Sequence, residues 1–157
     1  RAREILKDSP EATPLQRGKV LLDLGDYNWV ADQEKKAFEN YRDAWKELSA
    51  AGGDALKPMQ EPELVFFDSP GGARRNAPAL PLNFDHTYVE LEFTVTANGK
   101  VTNINTVDSN AEEKKEKDIR QAVEKARYRP KFVDGQPVET TGVKYRQDIY
   151  VEKKEEK

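Results

Sequence analysis

The chain has 157 residues, of which 36% are hydrophobic and 35% are charged, and its formal net charge at pH 7 is −3. Acidic and basic residues are interspersed, with no basic stripe among aromatic residues, which argues against a nucleic-acid partner or an anionic membrane surface. The sequence contains no cysteine, which excludes disulfides and thiolate metal sites.

Helices are predicted throughout the first third of the chain. Residues 1–7 have the pattern of a helix end, closed by Asp8-Ser9-Pro10. Thr13 and Pro14 are suited to the N-cap and first position of the next helix, which is predicted to stop at Gly25-Asp26. Another helix is predicted from about Gln33 to Gly52-Gly53, with an apolar face of Ala37, Tyr41, Ala44, Trp45 and Leu48.

This helix pair resembles one tetratricopeptide (TPR) repeat, because Leu24-Gly25, Ala37, Tyr41 and Ala44 have that family's spacing. The alternative is an ordinary amphipathic helical hairpin. Since about three repeats are needed for stability, the resemblance implies either more repeats upstream or a cap docked on the part of the chain that follows. The aromatic side chains are predicted to line a peptide groove or to pack between the helices; they are Tyr27, Trp29, Phe38, Tyr41 and Trp45.

Residues 50–87 contain half of the glycine and proline and are predicted to be largely irregular. Within them, the apolar run Leu64–Phe67 predicts a short strand that pairs with a sheet edge or packs across a domain junction. Gly71-Gly72 and Arg74-Arg75 predict a mobile loop. A phosphate site is disfavoured there because no helix start follows the glycines.

A β-hairpin is predicted next. Tyr88 to Thr96 alternates between apolar and polar residues, as expected for a half-buried strand. Asn98-Gly99 predicts a type I′ turn. The second arm, Val101 to Asp108, requires a bulge because Val101 and Ile104 cannot otherwise share a face.

A single surface helix is predicted from Ser109 to Pro130, with a capping box at Ser109-Asn-Ala-Glu112. Arg127 and Arg129 would then lie near the negative end of the helix dipole. The apolar stripe of this helix is narrow and consists of Ile119, Ala122, Val123 and Ala126.

Asp134-Gly135 predicts a turn, Pro137 lies just after it, and Val138 to Val151 predicts a last long strand. One face of that strand carries Val143, Tyr145, Ile149 and Val151, interrupted by Gln147. The fold class is therefore α+β: a helical hairpin joined to a small two-layer domain, in which an antiparallel strand-strand-helix-strand sheet packs under one helix.

Three strings together resemble the TonB C-terminal domain family: Tyr88 to Ile104, Ala126-Arg-Tyr-Arg-Pro130 and Asp134-Gly-Gln-Pro-Val138. The family's usual Tyr-Pro segment before the first strand has no counterpart in residues 61–87. The expected organisation is a TPR-like repeat end at 1–51, a linker at 52–80 with a short strand at 63–67, and a TonB C-terminal-like domain at 81–157.

No catalytic, metal-binding or cofactor-binding constellation is predicted, so the chain is expected not to be an enzyme. His86 is the one histidine in the sequence, and it neighbours Asp85 ahead of a strand, where the two would face opposite ways. The acidic residues of Glu112-Glu113 and of residues 152–157 have matching lysines and no apolar pocket that would raise a pKa.

Binding is the function that the resemblance implies. TonB-type domains are periplasmic modules of Gram-negative envelopes that capture an extended segment, the TonB box, of an outer-membrane transporter. A final strand at a sheet edge can accept such a segment by strand addition. The predicted partner-binding residues are Val143, Lys144, Tyr145, Arg146, Gln147, Asp148, Ile149, Tyr150 and Val151.

Two alternatives remain open from the sequence. The edge could be blocked by Leu64–Phe67 or by a second copy of the chain, in a homodimer. The whole protein could be either a TonB-type energy transducer or a soluble periplasmic TPR scaffold, in which the TonB-like domain serves assembly. Because the chain opens at Arg1 without a methionine, we expect further segments upstream, and in a transducer these include an anchor to an inner-membrane proton-driven complex.

Overall fold

The structure, a computed structural model, describes residues 11–69 and 84–152. The helix end predicted at residues 1–7 and the loop predicted around Gly71 to Arg75 lie outside these ranges. The side chains of Phe84, Val151 and Glu152 are likewise outside the description.

Two antiparallel helices form the N-terminal hairpin: α1 spans Pro14–Val30 and α2 spans Glu34–Ala51. Thr13 is the N-cap of α1, as predicted, and it forms a capping box with Gln16. The Gln16 N–H donates to Thr13 Oγ1 at 3.2 Å, and the Thr13 N–H donates to Gln16 Oε1 at 2.9 Å. Gly52, at φ 72°, ends α2 as predicted.

The predicted stop of α1 at Gly25-Asp26 is wrong, because the helix continues to Val30. Gly25 is there for packing: a Cβ at this position would lie 2.4 Å from Cε1 of Tyr41. A Cβ at Gly18 would likewise lie 2.4 Å from Cδ2 of Leu48. Two glycines of α1 thus allow α2 to approach closely.

The remaining elements come in chain order after a 3-10 turn at Lys57–Met59. They are β1 at Glu63–Phe66, β2 at Phe84–Val95, β3 at Val101–Ser109, α3 at Glu113–Glu124, β4 at Arg127–Arg129, β5 at Lys131–Val133, β6 at Gln136–Val138 and β7 at Thr140–Glu152. All strand pairs are antiparallel, in a three-stranded sheet of order β3-β2-β7 and two small sheets, β1-β4 and β5-β6.

The β2–β3 hairpin carries the irregularity that the sequence predicted. Glu92 pairs with Asn105 and Thr94 with Thr102, so Phe93 lies opposite two residues. Asn103, one of these two, has φ 54°. The bulge turns Val101 and Ile104 toward the same apolar core, to which both contribute.

The predicted type I′ turn at Asn98-Gly99 is wrong, since only Gly99 of the two residues has a positive φ, 78°. The Gly99 N–H donates to Thr96 O at 2.9 Å, and the Thr96 N–H donates to Lys100 O at 2.8 Å. A hydrogen bond from β4 also holds this turn, because the Gly99 carbonyl accepts the Tyr128 N–H at 2.9 Å. The type I′ signature of two positive φ angles occurs instead at Asp134-Gly135, at 49° and 80°.

The predicted helix Ser109–Pro130 is too long at both ends. Ser109 belongs to β3, Glu112 is the N-cap of α3 without a side-chain hydrogen bond, and no capping box forms. The helix ends at Glu124, and Arg127–Arg129 is the strand β4, paired with β1. Arg127 and Arg129 therefore do not lie at the end of α3. The Arg127 guanidinium instead donates to Trp29 O and Val30 O at the C-terminal end of α1, and the Arg129 guanidinium donates to Asp26 of α1.

Two apolar cores lie side by side. The sheet core contains the inner faces of β2 and β7, covered by Ile119 and Val123 of α3. The hairpin core lies between α1 and α2 and includes Phe132 of β5 and Met59. β1 lies between them, since Val65 packs on the hairpin core while Leu64 and Phe67 pack on the sheet core. The predicted role of Leu64–Phe67 across the junction is confirmed.

The hairpin is closed by the β4 segment of the same chain, which is one of the two outcomes that the sequence left open. Trp29 Nε1–H donates to Tyr128 O at 2.9 Å, and Arg129 pairs with Asp26 at 3.0 Å. Trp29, Phe38 and Tyr41 are buried in this core, as expected for packing between the helices. The likeness to a TPR repeat remains a prediction.

Candidate protein-binding edge

The strand β7 has 13 residues and lies at one edge of the three-stranded sheet. Its register with β2 is unbroken from the pair Phe93–Val143 to the pair Phe84–Glu152. One bulge precedes this run, where Thr140 pairs with Val95 and Gly142 adopts φ 69°. A long regular strand is therefore presented at this edge.

The side chains of β7 alternate as the sequence predicted. Val143, Tyr145 and Ile149 face the sheet core, and Gln147 does so as well. Gln147 is only 2% exposed. Its amide oxygen accepts from Tyr145 Oη, and its amide nitrogen donates to Asp148 O at 3.3 Å. Intrastrand hydrogen bonds thus satisfy the polar residue that interrupts the apolar stripe.

The outer face carries charge pairs across β2 and β7. Glu90 lies opposite Arg146, and Glu92 lies opposite Lys144. Opposite charges directly across an antiparallel pair favour this register, and a slip of one residue would bury them.

His86 belongs to a cross-strand cluster on the same outer face. Its Nε2 lies 2.7 Å from Asp148 Oδ1, and its ring stacks on Tyr150 with centroids 4.8 Å apart. Arg146 also donates to Asp148, at 3.2 Å, and its guanidinium lies 4.2 Å from the ring centroid of Tyr88. Partial burial raises the pKa of Asp148, but the hydrogen bonds from His86 and Arg146 outweigh it and hold the pKa below its usual value.

The two edges of the sheet differ in regularity. The outer edge of β3 is interrupted by two bulges, and the carbonyl of Ile104 there accepts from Arg120 at 3.1 Å. Bulges and occupied carbonyls make an edge a poor template for another strand. Of the two edges, that of β7 is the more suitable for pairing with an added strand.

β1 does not cover that edge, although the sequence left this outcome open. Within residues 11–69 and 84–152, β1 pairs with β4, and β7 pairs with β2 alone. Phe67 contacts β7 through its ring, whose centroid lies 5.0 Å from that of Tyr145. A groove of about 610 Å³, here called the edge groove, separates residues 60–64 from residues 140–145.

No sequence pattern predicted the edge groove. The glycine at position 142 within a strand pattern was the one available signal, because an interior glycine often marks a bulge or a close approach. Residues 60–64 carry no such signal, since their place beside β7 depends on the pairing of β1 with β4.

No helix in the described part of the chain is long and apolar enough to cross a membrane. Those same residues contain no group of three or more histidine or acidic side chains placed to hold a metal ion.

Residues 85–146 match the family described as the C-terminal part of the Gram-negative bacterial TonB protein. A solved structure of the TonB2 protein from Vibrio anguillarum is 27% identical, covering 56% of this chain and 97% of that one, with a TM-score of 0.37. The C-terminal domain of Pseudomonas aeruginosa TonB is 26% identical, covering 54% and 84%, with a TM-score of 0.31. No curated protein matches the chain. The family match supports a TonB-type domain over residues 85–146.

Proposed function

We propose that the chain is the periplasmic protein-binding part of a TonB-type energy transducer or adaptor, which docks an extended segment of an outer-membrane transporter. The segment adds as a new strand along β7. The observation that carries this proposal is the unbroken edge from Val143 to Glu152, which pairs on one side only within the described residues.

Strand addition suits the chemistry of this edge. An edge strand offers backbone N–H and C=O groups to an incoming segment, and the resulting main-chain hydrogen bonds supply affinity. Lys144, Arg146 and Tyr150 lie on the outer face, where alternate side chains of the added strand would meet them. These three residues would therefore contribute to the choice of partner.

The match to a Gram-negative TonB family supports a periplasmic location for the proposed activity. In a transducer, force would come from an inner-membrane proton-driven complex through a membrane anchor. The helical hairpin would then lie between the source of the force and the docking strand.

The alternative is a soluble scaffold in which this domain serves assembly. One feature favours self-pairing: an antiparallel β7–β7 contact centred on Gln147 would place Arg146 of each copy opposite Asp148 of the other. Such cross-strand charge pairs are favourable. Peptide binding through the inner face of the hairpin has less support, because Phe132 and Met59 already occupy it.

An NMR titration of the ¹⁵N-labelled chain with TonB-box peptides tests the proposal. We expect shift perturbations to cluster on Val143 to Glu152, and a scrambled peptide of equal composition to leave those signals unchanged. Perturbations that instead appear on raising the protein concentration without peptide would support self-pairing. A folded domain that stays silent toward the whole peptide set would overturn the docking proposal.

Two proline variants at adjacent positions test whether the segment docks on the outward edge of β7. Successive N–H groups of a strand point to opposite edges, so Tyr145→Pro and Arg146→Pro remove one donor toward β2 and one away from it. We expect the variant that loses the outward donor to remain folded and to lose peptide binding. Undiminished affinity in that folded variant would show that the segment docks elsewhere.

A further inference from the structure

The edge groove runs along the side of β7 that faces away from β2. Its lining includes six consecutive residues, 140–145, so both faces of the strand contribute. No residue of β2 takes part. Because both faces of β7 border the groove and β2 does not, the groove must lie at the edge of β7 that is not paired with β2.

The opposite wall comes from outside the family-matched region. Residues 60–64 lie between the 3-10 turn and β1, whereas the family match begins at residue 85. Tyr128 and Lys131 complete the lining. The second wall of the groove therefore lies N-terminal to the residues that the family match covers.

We propose that the extended segment that pairs with β7 passes through the edge groove, and that residues 60–64 contact it as a second wall. This inference rests on the proposed function and deepens it. The segment's backbone would pair with β7 on one side and meet Gln60 to Leu64 on the other, so residues outside the family-matched domain would set partner specificity.

The chemistry of the groove indicates the kind of segment it takes. Leu64, Tyr128 and Tyr145 provide apolar surface, and all three belong to or pack on the sheet core. Strand side chains alternate between faces, so the side chain that faces this surface is expected to be apolar.

Charge selects the neighbouring side chains of the segment. Glu61 and Glu63 are exposed on the 60–64 wall, and Lys131 and Lys144 lie among the other lining residues. Neither Glu61 nor Glu63 forms an ion pair with another described residue. We therefore expect the segment to carry a basic side chain toward the two carboxylates.

Thr141→Trp tests whether the groove is used. Thr141 is an exposed lining residue, so the indole would fill the groove while leaving the core intact. We expect the affinity for a TonB-box peptide to fall by about tenfold or more. Thr102→Trp is the matched control, because Thr102 is exposed on the opposite edge strand, and its affinity should equal that of the parent.

Charge reversal provides a second test that adds no bulk. In the double variant Glu61→Lys with Glu63→Lys, a TonB-box peptide that contains lysine should bind several-fold more weakly. The same peptide with glutamine in place of lysine should be affected much less. Equal effects on the two peptides would contradict the assignment of a basic side chain to this wall.

The NMR titration separates docking on β7 from contact with the second wall. Perturbations on both β7 and residues 60–64, lost in Thr141→Trp, would support the second wall. Perturbations confined to Arg146 to Tyr150 and insensitive to Thr141→Trp would overturn it while leaving docking on β7 intact. Absence of any perturbation on β7 would overturn the proposed function itself.

Discussion

Asp26 is the residue on which the contact between the helical hairpin and the β4 segment is centred. It accepts from Tyr41 Oη at 2.7 Å and pairs with Arg129 at 3.0 Å. Burial raises the pKa of Asp26, although Arg129 and the Tyr41 hydrogen bond oppose this shift. The guanidinium of Arg129 is itself buried, with a side chain 7% exposed, so it depends on this carboxylate.

We expect Asp26→Asn to lower the free energy of unfolding by about 2 kcal/mol, because it leaves a buried cation without its counter-charge. Asp32→Asn is the matched control. Asp32 also pairs with an arginine, Arg127 at 3.1 Å, but it is 83% exposed, and exposed pairs contribute roughly 0–1 kcal/mol. Urea unfolding of both variants measures the difference. Equal losses would contradict a burial-dependent role for Asp26.

At the residue scale, the sequence predicted local features well and long-range partners poorly. Thr13 was recognised as a cap because its partner, Gln16, lies three residues away. Arg129 was predicted to lie at a helix end. Its partner in the structure is Asp26, which lies 103 positions away in the chain and therefore leaves no local signal. No local pattern distinguishes an arginine that neutralises a helix dipole from one that crosses to another element.

Among the elements, the turn between β2 and β3 couples the sheet to the hairpin. A Cβ on Gly99 would lie 2.3 Å from Tyr128 O and 3.1 Å from Trp29 Nε1. Gly142 has a similar φ, 69° against 78°, but a Cβ there would meet only Glu92 Oε1, at an ordinary 3.7 Å. The two glycines thus share a left-handed backbone conformation, which would strain any other residue, and they differ in the atoms around them.

We expect Gly142→Ala to destabilise the fold by about 1 kcal/mol, the usual effect of a side chain at positive φ. Gly99→Ala should lose about 2 kcal/mol or more, because its Cβ also displaces the Tyr128 backbone. Thermal and urea unfolding of the pair measure both values. If Gly99→Ala proved no worse than Gly142→Ala, the turn would not be held tightly against Tyr128.

The long elements were predictable and the short ones were not. β2 and β7 have 12 and 13 residues, long enough for strict alternation to identify them. β4, β5 and β6 have three residues each, too few to define a period. Two of them are held by tertiary packing: Tyr128 of β4 is buried in the sheet core, and Phe132 of β5 is buried in the hairpin core.

For the candidate site, the same distinction holds. The sequence predicted the strand and its inward face, because both depend on alternation within β7. It did not predict the charge pairs with β2 or the wall at residues 60–64, since both depend on register and on the pairing of β1 with β4.

At the scale of the whole molecule, the hairpin and the sheet are joined by buried contacts at several points. Trp29 is 1% exposed and donates to Tyr128 O, and the guanidinium of Arg127 lies 5.0 Å from its ring centroid. Phe132 of β5 packs on Tyr41, with centroids 6.2 Å apart. A helical hairpin whose core includes a strand residue has no complete core of its own. We therefore expect the two parts to unfold as one cooperative unit.

Trp29→Phe tests this cooperativity, because it keeps an aromatic ring but removes the hydrogen bond to Tyr128 O. Native-state hydrogen exchange should show the amides of Leu91 in β2 and Tyr41 in α2 losing protection by the same amount, about 1–2 kcal/mol. Trp45→Phe is the control: Trp45 is only partly buried against the hairpin core, so the loss should be smaller. If Trp29→Phe lowered protection in α1 and α2 while the amides of β2 kept theirs, the hairpin would be an independently folding unit. Equal losses would show that the hairpin and the sheet unfold as one cooperative unit.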